Sequence, residues 1–257
     1  LNSQLNSQTR EEKDRFSADI SFVGSMYHKN SYDDIKDKLP PYLRGYFDAA
    51  MLAQLNIYGD NIIDELLTVD ILKQLSEFVD FRQDKRAFSD IRLVFESTFL
   101  GFKLANIERV RTLNLLAKKN KVALYTDEQD TSLINVDFKG TVDYMNDMPK
   151  VFNNSSINLN MTIRNIRTGI PLRVWDILGA GGFLLTNYQI ELTDYFKNEE
   201  SIVYYEDMYD CCKKAEYYLL HEDKRRQIAA KGHELVSKKH SYINRVKYIL
   251  DVIGKMS

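Results

Sequence analysis

Cysteine, proline and glycine are scarce in this chain, at 2, 4 and 11 of 257 residues. The two cysteines, Cys211 and Cys212, are neighbours in a stretch that reads as helix, where a disulfide between them would be badly strained. Reduced thiols are expected. With 44% hydrophobic and 28% charged residues, so little Pro and Gly excludes collagen-like and globally disordered classes. An excess of one charge is missing too: 35 Lys and Arg face 37 Asp and Glu, a formal net charge of -2. No global field then draws the chain to nucleic acid or an anionic membrane, no nucleic-acid partner is expected, and any anion site must be local. No apolar run approaches the roughly 18 residues of a membrane span, and the first 20 residues are too polar for a signal peptide, so a cytoplasmic location is the default expectation. A Walker phosphate loop, a paired CxxC and an HExxH are all missing, and His28, His221, His233 and His240 show no metal-ligand spacing. Neither a metal site nor a cofactor is expected.

What is present reads as one large α/β unit. Ile20 to Ser25 forms a first buried strand after the charged stretch Glu11 to Arg15. Residues 1–16, which lack an initiator Met and repeat Leu1-Asn2-Ser3-Gln4 as Leu5-Asn6-Ser7-Gln8, read as a linker or an expression remnant ahead of the fold proper, and the chain as a piece of something longer. From Ser31 the apolar spacing turns helical and stays so for about ninety residues. The block ends in an amphipathic helix, Ala105 to Lys119, with Ile107, Val110, Leu113 and Leu116 on its apolar side. Strands and helices then alternate, with strands at Val122–Thr126, Val136–Val142, Ile157–Asn160, Phe183–Thr186 and Ile202–Tyr204, before three closing helices. Such alternation predicts a doubly wound parallel sheet of Rossmann-like type over residues 17–257, with a helical insertion at 31–118 after the first strand.

In sheets of this kind ligands bind beyond the carboxyl ends of the strands. The loop after Ile157–Asn160 is the most suggestive, because Thr168, Gly169 and Pro171 suit the start of a helix, and Arg164 and Arg167 stand beside it. Free N–H groups and two guanidinium groups would form a phosphate cradle. An ordinary capped helix with two solvated arginines fits the same residues. Arg173 and Asp176 share a helix face, as a surface ion pair or as a sugar-hydroxyl acceptor beside a cation. Gly179-Ala180-Gly181-Gly182 ends a helix and precedes a strand, the reverse of a dinucleotide fingerprint, and reads as a stop with close packing.

The stretch from Asn158 to Tyr188, NLNMTIRNIRTGIPLRVWDILGAGGFLLTNY, resembles the glycosyl transferases group 1 family in its CgeB-like, spore-maturation branch. The opening DISFVGSMY and the closing SYINRVKYIL are similar to the first strand and last helices of the carboxyl-terminal half of those GT-B enzymes. The resemblance implies a nucleotide-sugar donor bound by this half, facing an acceptor domain that precedes it. It places Thr168 and Asp176 where the family has two glutamates, so that Asp176 would hold the donor ribose while the sugar-contacting acid is lost. Gly24 and Ser25 would lie in the loop under the diphosphate, with Asn160, Arg164, Arg167, Gly169 and Ile170 around it and Thr126, Tyr144 and Met145 near the base. Lys29, with His28 beside it, and Arg173 would carry the catalytic charge. In such enzymes the diphosphate departs under electrostatic stabilisation, with no protein nucleophile required.

Overall fold

The computed structural model describes residues 5–79 and 90–256. The first four residues of the doubled opening, and positions 80–89 of the predicted helical insertion, lie outside the described residues.

Helix α1 (Arg10–Phe16) opens with a capping box in which Thr9 accepts from the Glu12 N–H and Glu12 accepts from the Thr9 N–H. Its Phe16 is buried against the sheet. Residues expected to be linker therefore include a docked helix, and the Thr9-Arg10-Glu11-Glu12 pattern was its overlooked signal. Strand β1 (Ile20–Val23) follows, then α2 (Ser31–Ile35), α3 (Pro41–Gln54), α4 (Ile63–Leu66), α5 (Val69–Ser76) and α6 (Ile91–Val94). A π-type turn over Phe95–Gly101 leads into α7 (Phe102–Leu116). The remainder alternates: β2 (Val122–Tyr125), β3 (Val136–Phe138), α8 (Met148–Asn154), β4 (Ile157–Asn160), α9 (Leu172–Gly179), β5 (Leu184–Asn187), α10 (Leu192–Tyr195) and β6 (Val203–Tyr205). Three helices close the chain: α11 (Met208–Leu220), α12 (Glu222–Lys239) and α13 (Tyr242–Met256).

The six strands are all parallel, in the order β3-β2-β1-β4-β5-β6. This is the doubly wound order, and its direction reverses between β1 and β4. Period-two alternation sends Ile20, Phe22, Val122, Leu124, Ile157 and Leu159 to one face, under α7 and α11. Val23, Ala123, Tyr125 and Leu184 go to the other, under α8, α9 and α12. Strand β3 is shorter than the predicted Val136–Val142 because the chain turns at Gly140, whose φ is +74°. Gly182 shows why the predicted close packing needs glycine: an added Cβ would lie 2.6 Å from both the Asn158 amide nitrogen and the Phe152 carbonyl oxygen.

The segment between β1 and β2 packs a core of its own, with Leu43, Phe47, Met51, Ile63, Leu75 and Phe95 buried together. Its last helix differs from the expected amphipathic pattern. Ile107 and Val110 are only partly buried, while Asn106, Glu108, Arg109 and Thr112 are buried. Helix α7 is enclosed by the sheet on one side and the insertion on the other, so both of its faces need partners. Slowed amide exchange is expected across Tyr42 to Leu75, as for any packed unit. Hydrogen exchange read by mass spectrometry checks this, and uniformly fast exchange there would contradict it.

Candidate functional site

In a sheet of this order the reversal between β1 and β4 marks where a crevice forms at the carboxyl ends of the strands. On the β1 side the Gly24 N–H donates to the Tyr125 carbonyl at 3.0 Å, carrying the strand pairing one residue further. Ser25 accepts from the Tyr27 N–H at 3.3 Å, and Tyr27 sits in the left-handed region at φ +50°. Thr126, buried at the end of β2, donates to Asp127 at 3.0 Å. His28 and Lys29 both meet Glu128, at 2.8 and 2.7 Å, and hold its carboxyl below the ordinary range. The Lys29 side chain is 75% exposed, so this ion pair stands in water at the rim.

On the other side of the crevice the polar groups are spoken for. The Asn160 amide donates to Thr162 at 3.0 Å and to Thr186 at 2.9 Å. Asn187 accepts from the Thr162 N–H and donates to its carbonyl, both at 2.8 Å, so a side chain extends the β4 to β5 pairing. Asn160 therefore stiffens the strand ends and has no amide hydrogen left for a donor.

The predicted phosphate cradle is likewise answered by the protein's own acids. Arg164 pairs with Glu108 of α7 at 2.8 Å, with the side chains 4% and 2% exposed. Its guanidinium lies 3.6 Å from the centre of the Tyr58 ring, and the Tyr58 hydroxyl donates to Glu108 at 3.0 Å. Arg167, more exposed, pairs with Asp64 of the insertion at 2.9 Å. The Gly169 N–H, at φ +91°, donates to the Glu191 carboxylate. Cations and free N–H groups in one loop attract anions, and here side-chain carboxylates meet that demand. Thr168 is exposed and lines a cleft of about 530 Å³ with Asp64, Arg92 and Glu96. Burial pushes the Glu96 carboxyl up, although Asn61 donates to it.

Helix α9 begins after Pro171 and packs Val174, Ile177 and Leu178 onto the sheet. Ile170, half-buried, joins the same apolar cluster. Arg173 reaches Asp176 at 3.2 Å, with its guanidinium 5.5 Å from the centre of the Phe152 ring. The Tyr144 hydroxyl donates to the other Asp176 oxygen at 2.9 Å. Burial pushes the Asp176 carboxyl up, against the hydrogen bond from Tyr144 and the charge of Arg173. The Tyr144 phenol is raised by burial and by that same carboxylate. Tyr144 and Asp176, together with Met145, Trp175, Tyr242 and Arg245, line a groove of about 540 Å³ between α8, α9 and the start of α13. The structure thus brings Tyr144, Met145, Arg173 and Asp176 into one place, and gives Lys29, Arg164 and Arg167 other partners.

Helix α7 supplies the residues that the sequence reading missed: Asn106, Glu108 and Arg109. Their signal was present as polar residues two and one positions apart that interrupt the apolar positions of the helix. Among the described residues, no group of three or more His, Cys, Asp or Glu side chains could hold a metal ion. Among the same residues, no helix is long and apolar enough to cross a membrane.

A family model described as glycosyl transferase-like matches residues 106–251, just over half of the chain. Comparison with curated proteins finds no match. Among solved structures, TarM is 14% identical with a TM-score of 0.45, over 56% of this chain and 31% of its own. The carboxyl-terminal domain of the group 1 glycosyl transferase LpcC from Francisella tularensis is 13% identical with a TM-score of 0.43, over 52% of this chain and 78% of that one. A mutant of S. aureus TarM, in complex with fondaparinux, α-GlcNAc-glycerol and UDP, is 13% identical with a TM-score of 0.46, over 72% of this chain and 42% of that one. The chain thus spans less than half the length of either TarM chain.

Proposed function

We propose that this chain, which belongs to the glycosyl transferase-like family, is the donor-binding half of a GT-B enzyme that takes a sugar from a nucleoside diphosphate. A preceding domain would present the acceptor. The observation that carries the reading is that Tyr144 and Asp176, joined by a hydrogen bond, line one groove while Arg173 pairs with Asp176 beside it. A half-buried carboxylate with a raised pKa, beside a cation and an apolar wall, is a costly arrangement for structure alone and a fitting one for a ribose and its base. Asp176 accepts from the ribose hydroxyls in place of Tyr144, and the base lies along Tyr144 and Met145. The diphosphate sits at the start of α9, where it displaces Glu191 from the Gly169 N–H.

Transfer breaks the bond between the anomeric carbon and the diphosphate oxygen, whose electron pair leaves with the diphosphate, while an acceptor oxygen bonds to the anomeric carbon and gives its proton to the departing diphosphate. Arg173 from one side and Lys29 from the other stabilise that charge. Within the family, the Asn158 to Tyr188 stretch favours the CgeB-like branch associated with spore maturation, and a cytoplasmic setting suits a nucleotide-sugar donor. Thr168, where a second acid would stand, favours a competing reading in which the module binds donor without turnover.

Thermal denaturation with the common nucleoside diphosphates tests the reading. A ligand held at ~100 times its dissociation constant adds about 2.7 kcal/mol of stability, and no shift with any of them would contradict donor binding. Glu191→Ala, which removes the competing carboxylate, is expected to tighten binding of the same diphosphates in calorimetric titration. Weaker binding would show that Glu191 supports the site instead of occupying it.

A further inference from the structure

Arg109 lies at the reversal point of the sheet, bound to the loops after β1 and β4. From α7 its two terminal nitrogens reach across the reversal point of the sheet, one donating to the Ser25 carbonyl after β1 and the other to the Met161 carbonyl after β4, the latter at 2.6 Å. Its guanidinium is stacked 4.8 Å from the centre of the Tyr27 ring and 5.3 Å from that of Phe22. The residue is buried, and its Nε has no hydrogen-bond partner. Asn106, one turn earlier, donates to the Met26 carbonyl at 3.0 Å, so the same helix holds the β1 loop at two successive carbonyls.

The charge balance is unusual. Among the described residues no carboxylate forms an ion pair with Arg109, and the adjacent Glu108 is engaged by Arg164 and Tyr58. Glu108, Arg109 and Arg164 therefore carry one positive charge in excess, and the next acid in the network, buried Asp130, accepts from Asn106 at 3.3 Å without an ion pair to Arg109. An arginine stays protonated even when buried, and a cation removed from water without a counter-charge is costly to keep. Its two carbonyl partners contribute dipoles and no formal charge. The surrounding apolar side chains screen it poorly, so its field extends into the crevice that those two loops border.

We propose that Arg109 is a positioning residue for the donor: it clamps the loops after β1 and β4 at a fixed separation, and its unpaired charge favours a diphosphate in the crevice between them. This deepens the donor-site reading and rests on it. Arg109 does not touch the ligand; it acts through the Ser25 and Met161 carbonyls and through its field.

The test is calorimetric titration of wild type, Arg109→Lys and Arg109→Gln. Each is titrated with the nucleoside diphosphate that wild type binds most tightly among the five common ones, and with the parent nucleoside. Circular dichroism establishes that each variant is folded. The charge role predicts that Arg109→Gln loses about tenfold in diphosphate affinity, the scale of a unit charge acting through space over roughly 10 Å at an effective dielectric constant of about 20, with nucleoside affinity unchanged. Arg109→Lys should keep the wild-type ratio of diphosphate to nucleoside affinity within about threefold, the spread expected of context. Equal losses for both ligands, or an unchanged ratio in Arg109→Gln, would reduce Arg109 to a scaffold residue. Should Arg109→Gln not fold, a collapsed ratio in Arg109→Lys overturns the inference by itself. Failure of wild type to bind any nucleoside diphosphate overturns the donor-site reading and this inference together, whereas binding with an unmoved ratio overturns this inference alone.

Discussion

Glu108→Ala is expected to lower the unfolding free energy by about 3–5 kcal/mol, the cost of breaking a buried ion pair by removing one partner. The change strands Arg164, whose side chain is 4% exposed, and leaves two neighbouring buried guanidinium groups with no acid between them. It also deprives the Tyr58 hydroxyl of its acceptor. Tyr58→Phe removes only that last bond and should cost about 1 kcal/mol. Urea denaturation of the two variants separates the cases. A loss below about 1 kcal/mol in Glu108→Ala would mean that water reaches the pair and screens it.

Asp176→Ala is the second large expectation, and it acts on binding. Losing hydrogen bonds to a charged acceptor should weaken nucleoside diphosphates by ~1.5–3 kcal/mol, while inorganic pyrophosphate, which has no ribose, binds nearly as before. Stability should move the other way. The Asp176 carboxyl is raised in the folded protein by burial, so the folded state holds that proton more firmly than the unfolded one does. The destabilising burden of the ionised form is present above the folded pKa and is relieved as pH falls through it. Asp176→Asn is therefore expected to be at least as stable as wild type at neutral pH, with any advantage vanishing towards acid pH. Denaturation midpoints measured across pH decide this. A variant destabilised at neutral pH would identify Asp176 as a structural partner of Arg173 and Tyr144.

How far the sequence could be read depended on the range of the interactions involved. Strands such as Val122–Tyr125 and Ile157–Asn160 are short apolar runs between polar turns, and that local pattern located all six and their parallel arrangement. Contacts within one helical turn were legible as well, since Arg173 and Asp176 lie three residues apart and meet. Partners distant in sequence were not legible. Arg164 finds Glu108, 56 residues away, and Arg167 finds Asp64, 103 residues away. Both acids belong to the segment between β1 and β2, whose path across the strand ends leaves no local trace. Helix α7 was misjudged for a related reason. A helix enclosed on both sides has no apolar stripe, and the polar residues that mark its inner face look like a solvated surface. Tyr144 was placed near the site only through the family resemblance, and its hydrogen bond to Asp176 came from the structure.

Trp175 is the single tryptophan of the chain and lines the groove beside Asp176. Its fluorescence therefore reports on that groove without a label. The most direct measurement of the central claim is a titration of this signal with the five common nucleoside diphosphates in wild type. Donor binding on this groove predicts a saturable change with at least one of them, and a flat response to all five would contradict it.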